Sequence, residues 1–347
     1  MNPFAYARAA NLEDAGKKVA QGGLLKAGGV DLMGRMKRGT LHPELLVDLS
    51  FVDKRTGIED RGDRGWSIGA QVTLAELAEY CGDVGRGKRP AGGNDPDRPH
   101  AGPFAGIGEA AELTATPQIR NRATVVGNLL QSPQCWYLHD AEIQCEAKEG
   151  TGCPAIMGRN EYHAILGQGS CPVTNASNMA PVLSALDARV AYATADGGSK
   201  ELALRELYRA PAKKRGFLTH TLPAGAVVQS LRIPPSRLAT AHEEIRHKKS
   251  YDWALCSAGV ALRLESGKIA EIHCYLGSVA PTPWHAAKAE ALLRGSKPGR
   301  EAFTKAAAAE LAQATPLSEG TYKAKMSEVA LIRALESATR RAEESQR

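Results

Sequence analysis

The hydrophobic and polar positions of the chain form short apolar runs, typical of strands, and longer amphipathic stretches, typical of helices. Within 1–233 the pattern predicts a strand and then a helix in 1–20, further strands at 24–27, 45–49, 66–70, 189–192, 226–228 and 231–233, and helices at 30–37, 179–186 and 202–207. Beyond Pro234 and Pro235 it predicts strands at 258–264 and 269–276 and helices at 284–293, 299–313 and 324–345. Because consecutive prolines interrupt regular structure, we expect two domains, 1–233 and 236–347.

Local signals refine this pattern in the first domain. Asn11 is placed to cap the first helix, and Thr73 with Glu76 three residues later has the spacing of a capping box. The run 106–111 fits the spacing of a dinucleotide fingerprint, but no predicted strand precedes it, so we interpret it as the start of a helix. The stretch 82–102 is rich in Gly, Pro, Asp and Arg, which predicts a surface loop.

Residues 131–175 form a long polar segment without periodicity, and a loop of that length needs something to order it. It holds four of the seven cysteines: Cys135, Cys145, Cys153 and Cys171. Thiolate ligands suit zinc or an iron–sulfur cluster. Zinc sites usually contain closely spaced cysteine pairs, which are lacking here, whereas proline follows two of these cysteines, as it follows the last cysteine of a bacterial ferredoxin motif. The spacing mildly favours iron–sulfur, and four unrelated thiols are the remaining alternative.

The composition is that of a globular protein. Of the 347 residues, 43% are hydrophobic and 24% are charged, and 44 basic against 38 acidic residues give a net charge of +6. The basic runs are short, so we expect no nucleic-acid partner. The longest uncharged apolar stretch, 253–262, is half of what a bilayer span needs. With an odd number of cysteines and no signal-like N-terminus, we expect no disulfide framework and a cytoplasmic location, or a periplasmic one if a partner subunit carries an export signal.

Two loops are candidates for binding a nucleotide. In the first, a predicted strand ends at paired glycines, where consecutive backbone N–H groups can hold a pyrophosphate. Its candidate residues are Lys26, Ala27, Gly28, Gly29, Val30, Asp31 and Leu32. The second loop is polar and contains glycine, and its candidates are Thr124, Gly127 and Asn128. From the residues alone, each loop is explained equally well as an ordinary turn that binds no nucleotide.

His242 and His247 resemble the histidine pair of a zinc-protease helix. Their five-residue offset would place them about 140° apart around a helix, so we do not expect them to share a metal ion. The chemistry that the sequence indicates is therefore that of bound cofactors, not of an acid–base centre.

Taken in order, these motifs resemble those of the FAD-binding subunit of the molybdenum hydroxylase (xanthine dehydrogenase) family. The family pattern A-G-G-T-D-L corresponds to 27–32, P-Q-I-R-N to 117–121, T-x-G-G-N-L to 124–129 and S-D-M-A-P-A-L-x-A-L-D-A to 177–188. Further matches at 250–255, 276–283 and 322–323 extend the resemblance over nearly the whole chain. The cysteine segment is similar to the insertion of a subgroup that binds a 4Fe–4S cluster, of the aldehyde oxidoreductase and 4-hydroxybenzoyl-CoA reductase type.

The resemblance implies an α+β fold: a PCMH-type (vanillyl-alcohol-oxidase-like) FAD-binding domain in two lobes, with 131–175 inserted, and an α+β CO-dehydrogenase-flavoprotein-like C-terminal domain. It implies that the two loops bind FAD, with Asn178 and Lys248 as further contacts, and that the four clustered cysteines bind a 4Fe–4S cluster. It also implies three partners: a large molybdopterin-binding subunit that oxidises an aldehyde or an aromatic or heteroaromatic compound, a small 2Fe–2S subunit, and an external electron acceptor. No catalytic residue for the organic substrate is then expected on this chain.

Three residues depart from the family pattern. Val30 replaces a threonine, Val126 a glycine and Asn178 an aspartate. These changes remove a hydroxyl near the pyrophosphate, add a side chain near FAD and remove a charge, respectively. They keep open the alternative of a scaffold subunit that has lost its flavin. A second alternative rests on the cysteine segment: a free-standing FAD oxidoreductase with a structural zinc loop.

Overall fold

The amino-terminal lobe is a small parallel sheet with two helices. The computed structural model describes residues 2–52, 57–85, 104–248 and 251–346. The lobe consists of β1 (Ala5–Arg8), α1 (Leu12–Ala20), β2 (Leu24–Lys26), α2 (Val30–Lys37) and β3 (Leu45–Asp48). The strands β1 and β2 both pair in parallel with β3, in a register that sets Lys26 beside Asp48. The first candidate loop therefore leaves the carboxyl end of this sheet and leads directly into α2.

The second lobe is built on an antiparallel sheet. Its strands are β4 (Ile58–Asp60), β5 (Trp66–Gly69), β6 (Arg189–Ala193), β7 (Ser199–Ala203) and β8 (Val227–Ile233), and its helices are α3 (Leu74–Gly85), α4 (Phe104–Leu113), α5 (Pro117–Arg120), α6 (Val125–Leu129), α7 (Trp136–His139), α8 (Met179–Ala185) and α9 (Leu204–Leu207). The strand order is β4-β5-β8-β6-β7. Apolar side chains of the sheet pack against α3, α4 and α8 in one continuous core.

The carboxyl-terminal part has a second antiparallel sheet covered by helices. Its elements are β9 (Ala239–Ile245), β10 (Cys256–Glu265), β11 (Lys268–Gly277), β12 (Trp284–His285), α10 (Ala287–Leu293), α11 (Arg300–Leu311) and α12 (Tyr322–Glu344). The strand order is β12-β11-β10-β9, and the core between this sheet and the helices is separate from that of the second lobe.

The helix α8 joins the second lobe to the carboxyl-terminal sheet. It packs so closely on β10 that a Cβ atom added to Gly259 would lie 2.4 Å from the backbone nitrogen of Val182. A glycine is therefore required at this crossing. The contact fixes the 177–188 segment against both parts of the molecule.

Most of the predicted elements are confirmed. The Asn11 side chain accepts a hydrogen bond from the Asp14 N–H, and Thr73 and Glu76 form the reciprocal capping box. The run 106–111 lies inside α4 and is not a nucleotide-binding turn. Of the predicted loop 82–102, residues 82–85 end α3 and 86–102 lie outside the described residues.

Four element predictions need correction. The predicted helix 202–207 is split, because 199–203 pair with β6 as β7 and only 204–207 are helical. The predicted helix 284–293 starts with β12, which pairs with β11. The runs 226–228 and 231–233 belong to one strand, β8, because half-buried Gln229 and Ser230 continue it and Ser230 pairs with both β5 and β6. Neither β4 nor β9 was predicted, and β9 contains His242, so a helical relation to His247 does not exist.

None of the described helices combines the length and the apolar composition that a membrane span requires. The seven cysteines, all of which lie in the described ranges, are free thiols.

Candidate functional site

The two candidate nucleotide loops lie against each other. A Cβ atom added to Gly28 would stand 1.8 Å from the carbonyl oxygen of Arg122, two residues before Thr124 of the second loop. The next residue, Gly29, has φ +79° and starts α2, a left-handed conformation that side chains rarely tolerate. The glycine pair therefore serves two purposes, a close approach of two backbones and a sharp entry into a helix.

The charged side chain of the first loop is already paired. The Lys26 ammonium lies 3.0 Å from Asp48 Oδ2, and both side chains are largely buried. Burial would by itself raise the pKa of Asp48, but hydrogen bonds from Tyr6, Ser50 and Lys26 hold that pKa well below its usual range. Since Lys26 is neutralised by a permanent carboxylate, an anion at this loop would rely on main-chain N–H groups and on the start of α2.

The polar groups of the second loop are also engaged within the protein. Thr124 caps α6, its hydroxyl accepting a hydrogen bond from the Gly127 N–H at 3.0 Å. The Asn128 amide oxygen accepts from the Ser177 hydroxyl at 2.7 Å and from the Met179 N–H at 3.3 Å. These contacts join the second loop to the start of α8.

Asn178 lies in the contact between the second lobe and the carboxyl-terminal sheet. Its side-chain amide donates a hydrogen bond to the carboxylate of Glu244 on β9, and His242 Nε2 lies 3.0 Å from the same oxygen. A neutral residue suits this position, because an aspartate would face a buried carboxylate. By contrast, Lys248 is exposed.

The two valine departures have different surroundings. Val30 is 41% exposed at the first position of α2. Val126 packs against the core of the second lobe. The Val126 side chain is thus held by packing inside its own lobe.

The four cysteines of 131–175 converge although they are far apart in sequence. Cys135, Cys145, Cys153 and Cys171 all line one small cavity of about 20 Å³, beside Tyr137, Leu138 and His163. Burial, with a smaller contribution from the nearby thiols, raises the pKa of Cys135 to about 11 and that of Cys171 to about 12. The four cysteines that cluster in one polar segment of the sequence therefore border one common space. The remaining cysteines, Cys81, Cys256 and Cys274, are buried in the two large cores.

We name this space the thiol cavity; its side chains are of a type that can bind a metal, but they do not have the geometry of a mononuclear site. Throughout the described ranges, no three His, Cys, Asp or Glu side chains are arranged to hold a single metal ion. Thiolates are nevertheless the ligands that zinc and iron–sulfur clusters use, so these four residues could hold such a group.

A much larger cavity, of about 780 Å³, lies next to the thiol cavity; we call it the large cavity. It is bounded by the end of α2, the cysteine segment, the 252–255 turn and α12, and its lining includes Arg38, Trp136, Tyr162, Trp253 and Lys323. Its volume and its aromatic walls are typical of a site for a small molecule or a cofactor ring.

Lys323 is a buried cation that sequence reasoning did not assign to the site. Its ammonium donates hydrogen bonds to the carbonyl oxygens of Ser278 at 2.7 Å, His163 at 3.0 Å and Tyr162 at 3.2 Å. Burial lowers the pKa of Lys323 to about 8. The match at 322–323 was the available signal, but only the fold brings this helix to the cysteine segment.

Two polar contacts tie the cysteine segment to α2. Asp31 accepts hydrogen bonds from the hydroxyl of Ser132 at 2.6 Å and from its N–H at 3.2 Å. At the other end of α2, Arg38 lies 3.0 Å from Nδ1 of His139. Both ends of the helix that starts at the first loop are thus fixed to the segment that holds the thiols.

Comparison with known families covers both parts of the chain. Residues 2–236 match the FAD binding domain in molybdopterin dehydrogenase, and residues 241–338 match the CO dehydrogenase flavoprotein C-terminal domain.

Two relatives are similar to the chain over almost their whole length. The FAD-binding subunit PaoB of aldehyde oxidoreductase from Escherichia coli is 29% identical over 330 residues, which cover 93% of this chain and 94% of PaoB. The medium chain of carbon monoxide dehydrogenase from Afipia carboxidovorans is 28% identical over 349 residues, which cover 98% of both chains.

Solved structures show the same fold. CO dehydrogenase from Oligotropha carboxidovorans superposes with a TM-score of 0.72 at 24% identity, covering 98% of this chain and 99% of that chain. Quinoline 2-oxidoreductase from Pseudomonas putida 86 superposes with a TM-score of 0.71 at 20% identity, covering 98% of each chain. The expected α+β architecture, an FAD-binding domain followed by a CO-dehydrogenase-flavoprotein-like domain, is confirmed. The chain therefore belongs to the family of FAD-binding medium subunits of the molybdenum hydroxylases, which are oxidoreductases.

Proposed function

We propose that this chain is the electron-transfer subunit of a molybdenum hydroxylase and that it binds a 4Fe–4S cluster as well as FAD. The observation that carries the cluster is the convergence of Cys135, Cys145, Cys153 and Cys171 on the thiol cavity. These cysteines come from an irregular segment with little regular structure of its own, so a bound cluster explains both its order and its cysteine content.

The FAD pyrophosphate would bind at the paired loops. Lys26, Ala27, Gly28, Gly29, Val30, Asp31 and Leu32 form one side, and Thr124, Gly127 and Asn128 form the other. Because Lys26 is paired and Asn128 holds Ser177, the main chain of the first loop is the part left to bind the anion. When bound, FAD supplies the redox chemistry, and the protein contributes placement and tuning.

The large cavity is the proposed location of the flavin ring. It lies at the end of α2, whereas the first loop lies at its start, so one helix connects the two binding regions. Asn178, which is hydrogen-bonded to Glu244 in the contact between the two domains, would be a further flavin contact. We propose Lys248 as a peripheral one. The domain limits that we propose are 1–233, with the cluster insertion at 131–175, and 236–347.

The cluster would be held by the four thiolates. Burial raises the pKa values of the Cys135, Cys153 and Cys171 thiols, so binding requires iron to displace their protons. The thiol cavity is about the size of one water molecule, so the four Sγ atoms must rotate outward to admit a cluster.

The remaining parts of the proposal concern partners. The two relatives are an FAD-binding subunit and a medium chain of larger enzymes, which supports a complex of this chain with a large molybdopterin-binding subunit and a small 2Fe–2S subunit. We propose that electrons pass from an aldehyde or an aromatic or heteroaromatic compound, oxidised on the large subunit, through the small subunit to this chain and then to an external acceptor.

The test begins with the purified protein, by visible absorption and by analysis of flavin, iron, sulfide and zinc. Flavin with four irons and four sulfides per chain is the result expected for a 4Fe–4S protein. Zinc without iron would instead support the free-standing FAD oxidoreductase, and a colourless protein would support the scaffold that has lost its flavin.

The variant Cys153→Ser tests the ligand set directly. It should abolish or strongly reduce bound iron, because a hydroxyl is a poor substitute for a thiolate, while flavin and fold are retained. Cys81→Ser is the matched control, since Cys81 is buried in the second-lobe core away from the thiol cavity. Iron content unchanged by Cys153→Ser would refute the ligand assignment.

A further inference from the structure

His163 stands between the thiol cavity and the large cavity. Among the described residues, only His163 and Cys135 line both spaces. His163 is 3% exposed, and its Nε2 lies 3.3 Å from the sulfur of Cys135. The two residues thus form the wall through which a cluster and a molecule in the large cavity would face each other.

If Cys135 is a metal ligand, the direction of this hydrogen bond is fixed. A thiolate sulfur has no hydrogen to donate, so the hydrogen of this contact must be carried by Nε2. Hydrogen bonds to ligand sulfurs are among the factors that set the reduction potential of an iron–sulfur cluster. They stabilise the more negatively charged, reduced state and so raise the potential.

The surroundings hold the imidazole in place. The His163 N–H donates to the Asn160 carbonyl at 3.0 Å, and the His163 carbonyl accepts from the buried Lys323 ammonium at 3.0 Å. The ring also lies edge-on to Trp136, with centroids 5.8 Å apart. A side chain fixed at both its backbone and its ring is suited to keeping a hydrogen bond on one chosen ligand.

We propose that His163 is a positioning residue for the cluster, which donates a hydrogen bond from Nε2 to the Cys135 thiolate, raises the reduction potential of the cluster and orients that ligand toward the large cavity. The inference rests on the proposed function, because it requires that a cluster is bound.

The experiment compares His163→Leu with His163→Gln in the purified protein. Leucine removes the donor, whereas glutamine keeps an N–H donor on a side chain of similar reach. Tyr162→Phe is the control for disturbance of the same wall, since Tyr162 lines the large cavity but not the thiol cavity. The readouts are iron and sulfide per chain and the midpoint potential of the cluster, measured by a redox titration followed by electron paramagnetic resonance.

We expect a midpoint potential shifted to more negative values in His163→Leu, with His163→Gln and Tyr162→Phe close to the wild type. Loss of iron from His163→Leu alone, with retention in His163→Gln, would also support a required donor. Equal shifts or equal iron loss in the leucine and glutamine variants would overturn the inference, because packing would then be the role of the residue. An unchanged potential in His163→Leu would overturn it as well. If wild-type protein holds no iron, the proposed function fails instead, and iron analysis of the wild type separates the two failures.

Discussion

The first loop and the cysteine segment are neighbours in the structure but present different parts of the chain to a cofactor. At the first loop, Lys26 is paired with Asp48, and what faces the second loop is the backbone at Gly28. In the cysteine segment the backbone is irregular, and four side chains converge on one space. A site that binds through main-chain N–H groups tolerates changes of side chain, but it does not tolerate a Cβ atom added where two backbones are in close contact. A site that binds through thiols has the opposite sensitivity: it depends on the side chains and tolerates changes in the backbone around them.

The same difference explains the departures from the family pattern. Val30 is half exposed and Val126 packs into its own lobe, so neither removes a backbone donor. If the four thiols bind a cluster, as we propose, the cysteine segment should show no comparable tolerance, because each thiol is then one of only four ligands. The following predictions test this contrast, from the largest expected effect to the smallest.

Gly28→Ala should have the largest effect on the first loop. The new methyl group would lie 1.8 Å from the Arg122 carbonyl oxygen, so the two loops must separate. We expect a loss of about 3 kcal/mol in the free energy of unfolding, together with loss of bound flavin. Chemical denaturation and the flavin content of the purified variant measure both.

Gly299→Ala is the control, because nothing lies within 4 Å of its added Cβ atom. It should cost less than about 1 kcal/mol and leave flavin unchanged. Full flavin content in Gly28→Ala would show that the two loops do not need their close contact.

Asn178→Asp should have an intermediate effect. The variant restores the family residue but places a carboxylate against buried Glu244 and removes the amide donor. We expect a loss of about 2 kcal/mol near neutral pH. The introduced carboxyl should have a higher pKa in the folded state than in the unfolded state. The loss in the free energy of unfolding should therefore be complete above the folded-state pKa and should shrink as the pH falls through it.

Denaturation of wild type and variant at about pH 5 and pH 8 checks this expectation. Asn178→Ser, which adds no charge, should show a deficit that does not depend on pH in the same way. A deficit in Asn178→Asp that grows toward low pH would contradict the electrostatic explanation.

Val30→Thr should have the smallest effect. The position is exposed at the start of α2, so restoring the family hydroxyl should change the free energy of unfolding by less than about 0.5 kcal/mol. If the pyrophosphate is held by the main chain, flavin affinity should change little in a fluorescence titration. A large gain in affinity would show that a side-chain hydroxyl contributes to the site after all.

Local sequence signals predicted much of the fold because their physical causes are local. The cap at Asn11, the capping box at Thr73 and the glycine-led start of α2 all depend on residues within four positions of one another. The errors occur where pairing partners are distant. Residues 199–203 became a strand because β6 offers a partner, and β9 was missed because its buried histidine and glutamates do not have the composition of a strand.

The candidate site shows the same limit. The four cysteines could be grouped from the sequence because they all lie in one polar segment, within 37 residues of chain. Two contacts could not be predicted: that of the Lys323 ammonium with the His163 carbonyl, and that of Asp31 with Ser132. Each is between residues that lie about one hundred positions apart or more in the sequence.

By itself, the sequence determined which chemical groups are available: paired glycines where a strand ends, and four thiols in a segment too polar to build its own core. These follow from residue type and short-range geometry. Only the tertiary structure decided that Lys26 is neutralised, that the two loops touch at Gly28, and that His163 faces both cavities. Those outcomes depend on burial and on distances between remote segments, which are set when the sheets and helices pack.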